Sequence, residues 1–235
     1  MSDNPPPTVK TRDQIAAAYR SEPWWYDVRG FFILTLAYNS TLQSQLRFFG
    51  RNFGQNHLEL ACGTGTLLEL ILRWRRWHRL ADTHITGVDY AESMLAGAIR
   101  RFHDKPQMEF VHAAAAQMPF ANEQFDTVNI ANSVHCFPDV SGALGGVYRV
   151  LKPNGNLAIN VLLYPRGNAL SRGIANSINS WGIRKGILFT PYEPDEIFRL
   201  FGLAGFEVVS KEISGNCLNL LVRKPAMVTK ASIAG

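Results

Sequence analysis

The sequence is poor in cysteine. Three occur in 235 residues, Cys62, Cys136 and Cys217, and their spacing fits neither a zinc site nor a disulfide framework. A stapled secreted fold is therefore not expected, and neither is a metal centre. A reduced, cytoplasmic setting is the simplest reading. Long apolar runs are absent too: none approaches the roughly 18 residues of a transmembrane helix. The opening MSDNPPPTVKTRDQ lacks the apolar core of a secretory signal. No internal repeat is visible, which argues against a solenoid. Charge of one sign is only mildly in excess, with 24 lysines and arginines against 19 acids, a net +5. That permits anionic partners without pointing to one.

What is present is a hydrophobic share of 46%, ordinary for a chain that buries a core, and one conspicuous stretch. HLELACGTGTLLELI, residues 57–71, runs from an apolar strand through a glycine turn into a helix whose leucines and isoleucine recur at helical spacing. Glycines at 63 and 65 let bare backbone approach a ligand. The helix start behind them offers unpaired N–H groups. Asp89 closes the next strand-like run, where an acid can accept hydrogen bonds from ribose hydroxyls. A nucleoside-containing cofactor in an open α/β sheet is the first inference.

The rest of the chain supports that sheet. Residues 1–12 are polar and proline-rich and read as a tail. Residues 13–55 are dense in aromatics and read as a helical cap broken at Pro23 and near Asn39. Strands are expected at 57–61, 85–88, 108–112, 125–132 and 156–164, with helices at 66–77, 92–102 and 140–150. Pro153 and Gly155 are expected to stop the last of these. A connection without a helix, 113–124, leads to the fourth strand. An irregular insert over 165–192 reads as a lid, and a helix from Pro194 follows it. Residues 206–213 and 218–223 form a closing antiparallel pair around Ser214-Gly215-Asn216. Residues 13–225 then make one domain, and 226–235 a loose tail. The ligand crevice belongs outside the C-terminal ends of strands 1, 2 and 4.

Two cofactor types use such a crevice. A dinucleotide needs G-x-G-x-x-G/A, because the helix must pack close under a pyrophosphate. Counting from Gly63, that third small position holds Leu68. S-adenosylmethionine has no phosphate, and Glu59 could take its ammonium directly or through water.

LELACGTG (58–65), VDYAESML (88–95), AQMPFANEQFDTVNIANSVHCFPD (116–139) and YRVLKPNGNLAI (148–159) resemble the successive motifs of class I S-adenosylmethionine-dependent methyltransferases. The likeness is to the small-molecule, "type 11" branch that includes quinone-biosynthesis enzymes. It implies a Rossmann-like α/β fold with a seven-stranded sheet, helices on both faces, an N-terminal helical cap and a lid after strand 5. It further implies S-adenosylmethionine as cofactor and S-adenosylhomocysteine as product, with a small hydrophobic or aromatic acceptor. Site residues carried over by position are Tyr26, Glu59, Ala61, Gly63, Gly65, Asp89, Tyr90, Met94, Ala115, Ala116, Gln117 and Asn132 for the cofactor. His135 faces the acceptor as the candidate base. Three positions depart from the pattern. Glu59 and Ala61 stand where the family usually has Asp-x-Gly, and Ala114 stands where an Asp usually accepts from the adenine amine.

Other readings stay open at this stage. The departures allow a catalytically inert, cofactor-binding partner protein, and a nicotinamide oxidoreductase is disfavoured by Leu68. Asn/Asp-Pro-Pro-Tyr, the signature of nucleobase amine methylation, is absent after strand 4, where 132–135 reads NSVH; no nucleic acid is expected. The one basic cluster, RWRRWHR at 73–79, reads first as a solvated helix end favoured by the dipole, and second as a face for peripheral membrane contact. Monomer and homodimer are equally compatible with the sequence.

Overall fold

The computed structural model describes residues 41–164 and 192–226. In chain order it has α1 (Leu42–Gly50), β1 (Asn56–Leu60), α2 (Thr66–Trp77), β2 (His84–Asp89), α3 (Glu92–Arg101), β3 (Met108–His112) and β4 (Phe125–Ile130). One 3-10 turn (Val134–Cys136) precedes α4 (Val140–Val150) and β5 (Leu151–Leu162). The chain closes with α5 (Pro194–Leu203), β6 (Glu207–Ser214) and β7 (Cys217–Arg223).

Seven strands form one sheet in the order β3-β2-β1-β4-β5-β7-β6. The first five are parallel, and β7 runs antiparallel to both neighbours. Parallel neighbours need crossovers, and α2, α3 and α4 supply three of them. The connection from β3 to β4 passes over two strands as a loop, plugged into the core by Met118. Winding reverses between β1 and β4, so the crevice opens above their C-terminal ends.

Alternation decides which helix covers which face. Leu58, Leu60, Val128 and Ile159 point into the main core with Leu144 and Val147 of α4 and Ile197 and Phe201 of α5. The opposite face carries α1, α2 and α3: Phe49 and Ile71 pack on Ala158, and Leu68 and Phe102 pack on Ile85. Unlike its partner, this second face is polar at its centre. His57, Glu59 and Asn129 are buried there, which only hydrogen bonding makes tolerable.

α1 is the part of the expected cap that falls within the described residues. Thr41 caps it by accepting from the Ser44 amide at 3.2 Å. Two amide pairs fix it to the sheet. Asn52, just past its end, donates to Asn129 Oδ1 at 3.0 Å. Gln45, within it, accepts from Asn132 Nδ2 at 3.1 Å. Residues 13–40, most of the insert 165–192 and the two tails lie outside the described residues.

One boundary differs from expectation. LKPNG (151–155) begins β5 rather than closing α4 as a loop. Phe125 pairs with Leu151 and Thr127 with Asn156, so four residues bulge between two registers. Asn154 sits at φ +63°, and the Lys224 amide donates to Gly155 O at 3.0 Å. Pro153, which cannot donate to the ladder, lies in the bulge, where no ladder bond is asked of it.

Candidate functional site

The site is built on the turn between β1 and α2. Three consecutive bends give it its shape: Ala61 (φ +59°), Gly63 (+57°) and Gly65 (+76°) are all left-handed. The Cys62 amide donates to Val88 O at 3.0 Å, and the Gly65 amide to Cys62 O at 3.0 Å. The turn is therefore strapped to the end of β2 before any ligand arrives.

Its two glycines do different work. Among the described residues, a side chain added at Gly63 would meet nothing within 4 Å, whereas one at Gly65 would lie 2.6 Å from Phe102 Cε2. Gly63 thus faces space that no described residue fills. Gly65 is held small by the packing of α3 against the turn. Leu68 is buried against Ile85 and Phe102, where a dinucleotide turn would need its small residue.

Ala61 also departs from expectation. A methyl group there is harmless only with ordinary torsions, and its φ of +59° is not ordinary. A left-handed non-glycine residue costs roughly 1–2 kcal/mol, against about 0.4–1 kcal/mol for the extra unfolded-state freedom of glycine. Ala61→Gly is expected to stabilise the protein by roughly 0.5–1 kcal/mol on that difference. Urea unfolding measures it; a lower midpoint would contradict the strain.

Asp89 ends β2 with both carboxylate oxygens engaged. Oδ2 accepts from the Gly63 amide at 2.7 Å, and Oδ1 from the Ala91 amide at 2.8 Å. Burial raises its pKa, and those same amides oppose the rise. Each oxygen keeps lone-pair capacity for a further donor. Tyr90 stacks on His112 with ring centroids 5.7 Å apart, and His112 Nε2 lies 2.7 Å from the Tyr90 carbonyl. That pairing holds the segment beside Asp89. Met94 is buried in the first turn of α3.

The loop after β3 lies across α4. A side chain on Gly146 would come within 2.8 Å of Ala115 O, so α4 needs a glycine there to let the loop approach, whereas one on Gly142 would first meet the Asp139 carboxylate that caps the helix. Arg149 of α4 clamps it from below, donating to Met118 O at 2.8 Å and to Phe120 O. The Ala114 carbonyl accepts from the Gln117 amide at 2.9 Å. No side-chain acceptor stands at 114.

Glu59 does not open freely onto the crevice. It belongs to a buried chain of hydrogen bonds under α1. The Gly54 amide donates to Thr127 Oγ1 at 2.8 Å, and Thr127 Oγ1 lies 2.8 Å from His57 Nδ1. His57 Nε2 and Asn129 Nδ2 each lie 3.3 Å from Glu59 Oε2. One arrangement satisfies every group: the Thr127 hydroxyl accepts from Gly54 and donates to Nδ1, and Nε2–H donates to Glu59. Burial pushes the Glu59 carboxyl up to about 8, opposed by the Asn129 hydrogen bond. Burial pushes the His57 imidazole well down, and Arg75 adds to that. The pair is therefore a neutral acid beside a neutral imidazole at pH 7, not an ion pair, despite its 3.3 Å separation.

Asn132 is likewise occupied. Its amide donates to Asn160 Oδ1, its Oδ1 accepts from Asn160 Nδ2, and its own Nδ2 donates to Gln45. It sits at φ +56° just past the end of β4 and joins α1 to the sheet. Asn219 pairs with Asn160 across the sheet. Its Nδ2 is the one buried side-chain nitrogen or oxygen without a partner among the described residues. His135, in the 3-10 turn, is buried, and burial takes its pKa down to about 4. Tyr26 lies outside the described residues. Sequence reasoning missed His57, Asn129 and Asn160; polar residues inside an otherwise apolar strand pattern were the available signal.

Residues 58–159 match the family model described as "Methyltransferase domain". A 2-phytyl-1,4-naphtoquinone methyltransferase of Thermosynechococcus vestitus is 34% identical over 119 residues, 51% of either chain. The chain spans about half the length of the curated relatives it matches. Among solved structures, phosphoethanolamine N-methyltransferase 2 of Haemonchus contortus, solved with phosphomonomethylethanolamine and S-adenosylhomocysteine, superposes with a TM-score of 0.67 at 15% identity, covering 93% of this chain and 61% of that one. The [4+2]-cyclase SpnF superposes at 0.62 and 17% identity, covering 78% and 80%. A fold shared with a cyclase does not by itself name a reaction. Over residues 58–159 the chain is therefore similar to methyltransferase domains in sequence, and the seven-stranded sheet that carries them is similar in fold.

Proposed function

We propose that this protein transfers a methyl group from S-adenosylmethionine to a small hydrophobic or aromatic acceptor of the quinone or hydroquinone kind. The observation that carries the reading is the Asp89 carboxylate, fixed by the Gly63 and Ala91 amides beside a glycine that faces space no described residue fills. The residues fit the cofactor at that point. Asp89 has acceptor capacity for ribose hydroxyls, Gly63 leaves room, and Tyr90 stands beside them. Ala115, Ala116 and Gln117 are assigned to the adenine edge. Bound S-adenosylmethionine supplies a methyl group activated on a sulfonium.

What the chain itself contributes is alignment and exclusion of water. Among the described residues His135 is the candidate proton acceptor. With a pKa near 4, His135 is neutral at pH 7 and takes a proton poorly, since an effective base titrates near the working pH. Acceptors that ionise readily, such as acidic phenols or activated ring carbons, fit this site better than aliphatic alcohols. The relatives named for naphthoquinone and menaquinone substrates support that acceptor class for this chain.

Calorimetric titration with S-adenosylmethionine and S-adenosylhomocysteine tests the reading. Saturable binding of both is expected, followed by methyl transfer to a hydroquinone. Absence of binding overturns it. Binding without transfer to any acceptor of the class favours an inert cofactor-binding partner protein. Ala114→Asp supplies the missing acceptor for the adenine amine. It should tighten S-adenosylhomocysteine about five- to tenfold, the worth of one hydrogen bond; unchanged affinity would place the adenine elsewhere.

A further inference from the structure

The basic cluster at the end of α2 divides into two sets once each side chain is placed. Trp74 and Arg75 belong to the fold. Trp74 stacks on His78 with centroids 4.0 Å apart, and an added side chain on Gly50 would lie 2.6 Å from its ring. Arg75 is buried, donating to Gly50 O at 2.7 Å and Ala81 O at 2.6 Å. Arg76, Trp77 and Arg79 do none of this. Trp77 is 85% exposed, and Leu80 beside it 39%.

The chain turn that ends α2 gathers them. The Leu80 amide donates to Arg75 O at 3.1 Å and the Arg79 amide to Arg76 O at 3.0 Å, the two bonds of a Schellman end. Its left-handed position normally goes to glycine, yet Arg79 holds it at φ +54°. A helix dipole accounts for arginine at this end but not for an exposed tryptophan, a leucine beside it, or a strained cation at a glycine position. Arg51, one residue past the Gly50 that seats on Trp74, is also exposed, as is Arg73. Among the described residues Arg51, Arg76 and Arg79 form no ion pair, while Arg73 shares Glu69 with Arg101.

We propose that this end of the molecule docks on an anionic lipid surface, with Trp77 and Leu80 entering the headgroup region and Arg51, Arg73, Arg76 and Arg79 meeting lipid phosphates. Charge complementarity and an amphipathic aromatic at its tip are what such surfaces select. A single-stranded nucleic acid also uses cations and aromatics, but it has no use for a protruding leucine, and phosphates would not favour its exposure. The patch lies at the far end of α2 from the glycine turn, about 18 Å along a twelve-residue helix. Docking therefore holds the protein at the bilayer without covering the crevice.

The test is co-sedimentation with vesicles at about 0.1 M salt, one set of phosphatidylcholine alone and one with about a third phosphatidylglycerol. The protein should pellet with the anionic vesicles only. Arg76→Ala with Arg79→Ala should lower the partition coefficient about 30-fold, at roughly fivefold per arginine, and raising the salt should do the same to the wild type. Trp77→Ala should weaken binding in a salt-independent way. Affinity for S-adenosylhomocysteine should be unchanged in every variant and in the presence of vesicles, so the cofactor reading stands or falls separately. Failure of the wild type to pellet, pelleting of Trp77→Ala equal to wild type, or tighter binding to an oligouridylate than to anionic vesicles each overturns the proposal.

Discussion

Asp89→Ala should lower the affinity for S-adenosylhomocysteine by about 100-fold, roughly 3 kcal/mol, at the upper end of what hydrogen bonds to a charged group contribute. Two losses combine. The acceptor for the ribose hydroxyls disappears, and so do the acceptors of the Gly63 and Ala91 amides. The second loss loosens the turn itself, because the Asp89 carboxylate is what accepts from the left-handed Gly63. Asp89→Asn separates the two effects. It keeps one acceptor oxygen for the turn but turns the other side of the group into a donor, so the fold should survive while affinity still falls. Titration calorimetry on both variants, with thermal unfolding alongside, gives the answer. Full affinity in a destabilised Asp89→Ala would make the acid a purely structural strap.

Between pH 5 and 8, stability should pass through a maximum near pH 6.5, and Glu59→Gln should remove the alkaline side of it. Glu59 has a folded pKa raised to about 8. Above the ordinary carboxylate value the unfolded chain has lost this proton and the folded one keeps it. The folded state thus binds more protons, and stability falls as pH rises until about 8. His57 and His135 act in the other sense. Burial depresses both, His135 to about 4, so below the ordinary histidine value the unfolded chain takes up protons that the folded one refuses. Their contribution is present above pH 6.5 and is lost as pH falls. Two histidines outweigh one acid below pH 6.5; above it only Glu59 remains. The alkaline slope is at most about 1.4 kcal/mol per pH unit, one proton's worth. Glutamine keeps the acceptor for Asn129 and cannot ionise, so the variant should be level from pH 6.5 to 8 and more stable than wild type at pH 8. Urea midpoints across that range measure it; an unchanged alkaline slope in Glu59→Gln would assign the linkage to another group.

Local signals made much of the sheet readable. α2, α4 and β3 fall at their expected residues because apolar spacing and the glycine turn mark them within a dozen positions. The bulge at 152–155 was not readable, since Pro153 and Gly155 look the same whether they stop a helix or interrupt a ladder. The chemistry around Glu59 was hidden for a different reason. Its partners Asn129 and, through His57, Thr127 stand 70 residues away in sequence and become neighbours only when β4 pairs with β1. Gly63 and Gly65 show the limit of reading a motif by composition. The pattern told which residues belong to the turn, but not which of them is packed against Phe102. Burial of His135, which decides what it can do at neutral pH, is a property of the assembled core and leaves no mark in the local sequence.

The two amide pairs of α1 have a consequence for how its length can vary. An apolar helix face tolerates some rotation, because dispersion contacts are not directional. Gln45 bonded to Asn132 and Asn52 bonded to Asn129 are directional at both ends. One residue inserted between them would turn one partner by about 100° relative to the other, so that both pairs could not be made at once. A shift of about one full turn would restore the angle but displace one anchor by roughly 5 Å. The spacing from 45 to 52 is therefore closed to insertion and deletion in a way its exposed residues would not suggest, and the cap behaves as a part of fixed gauge.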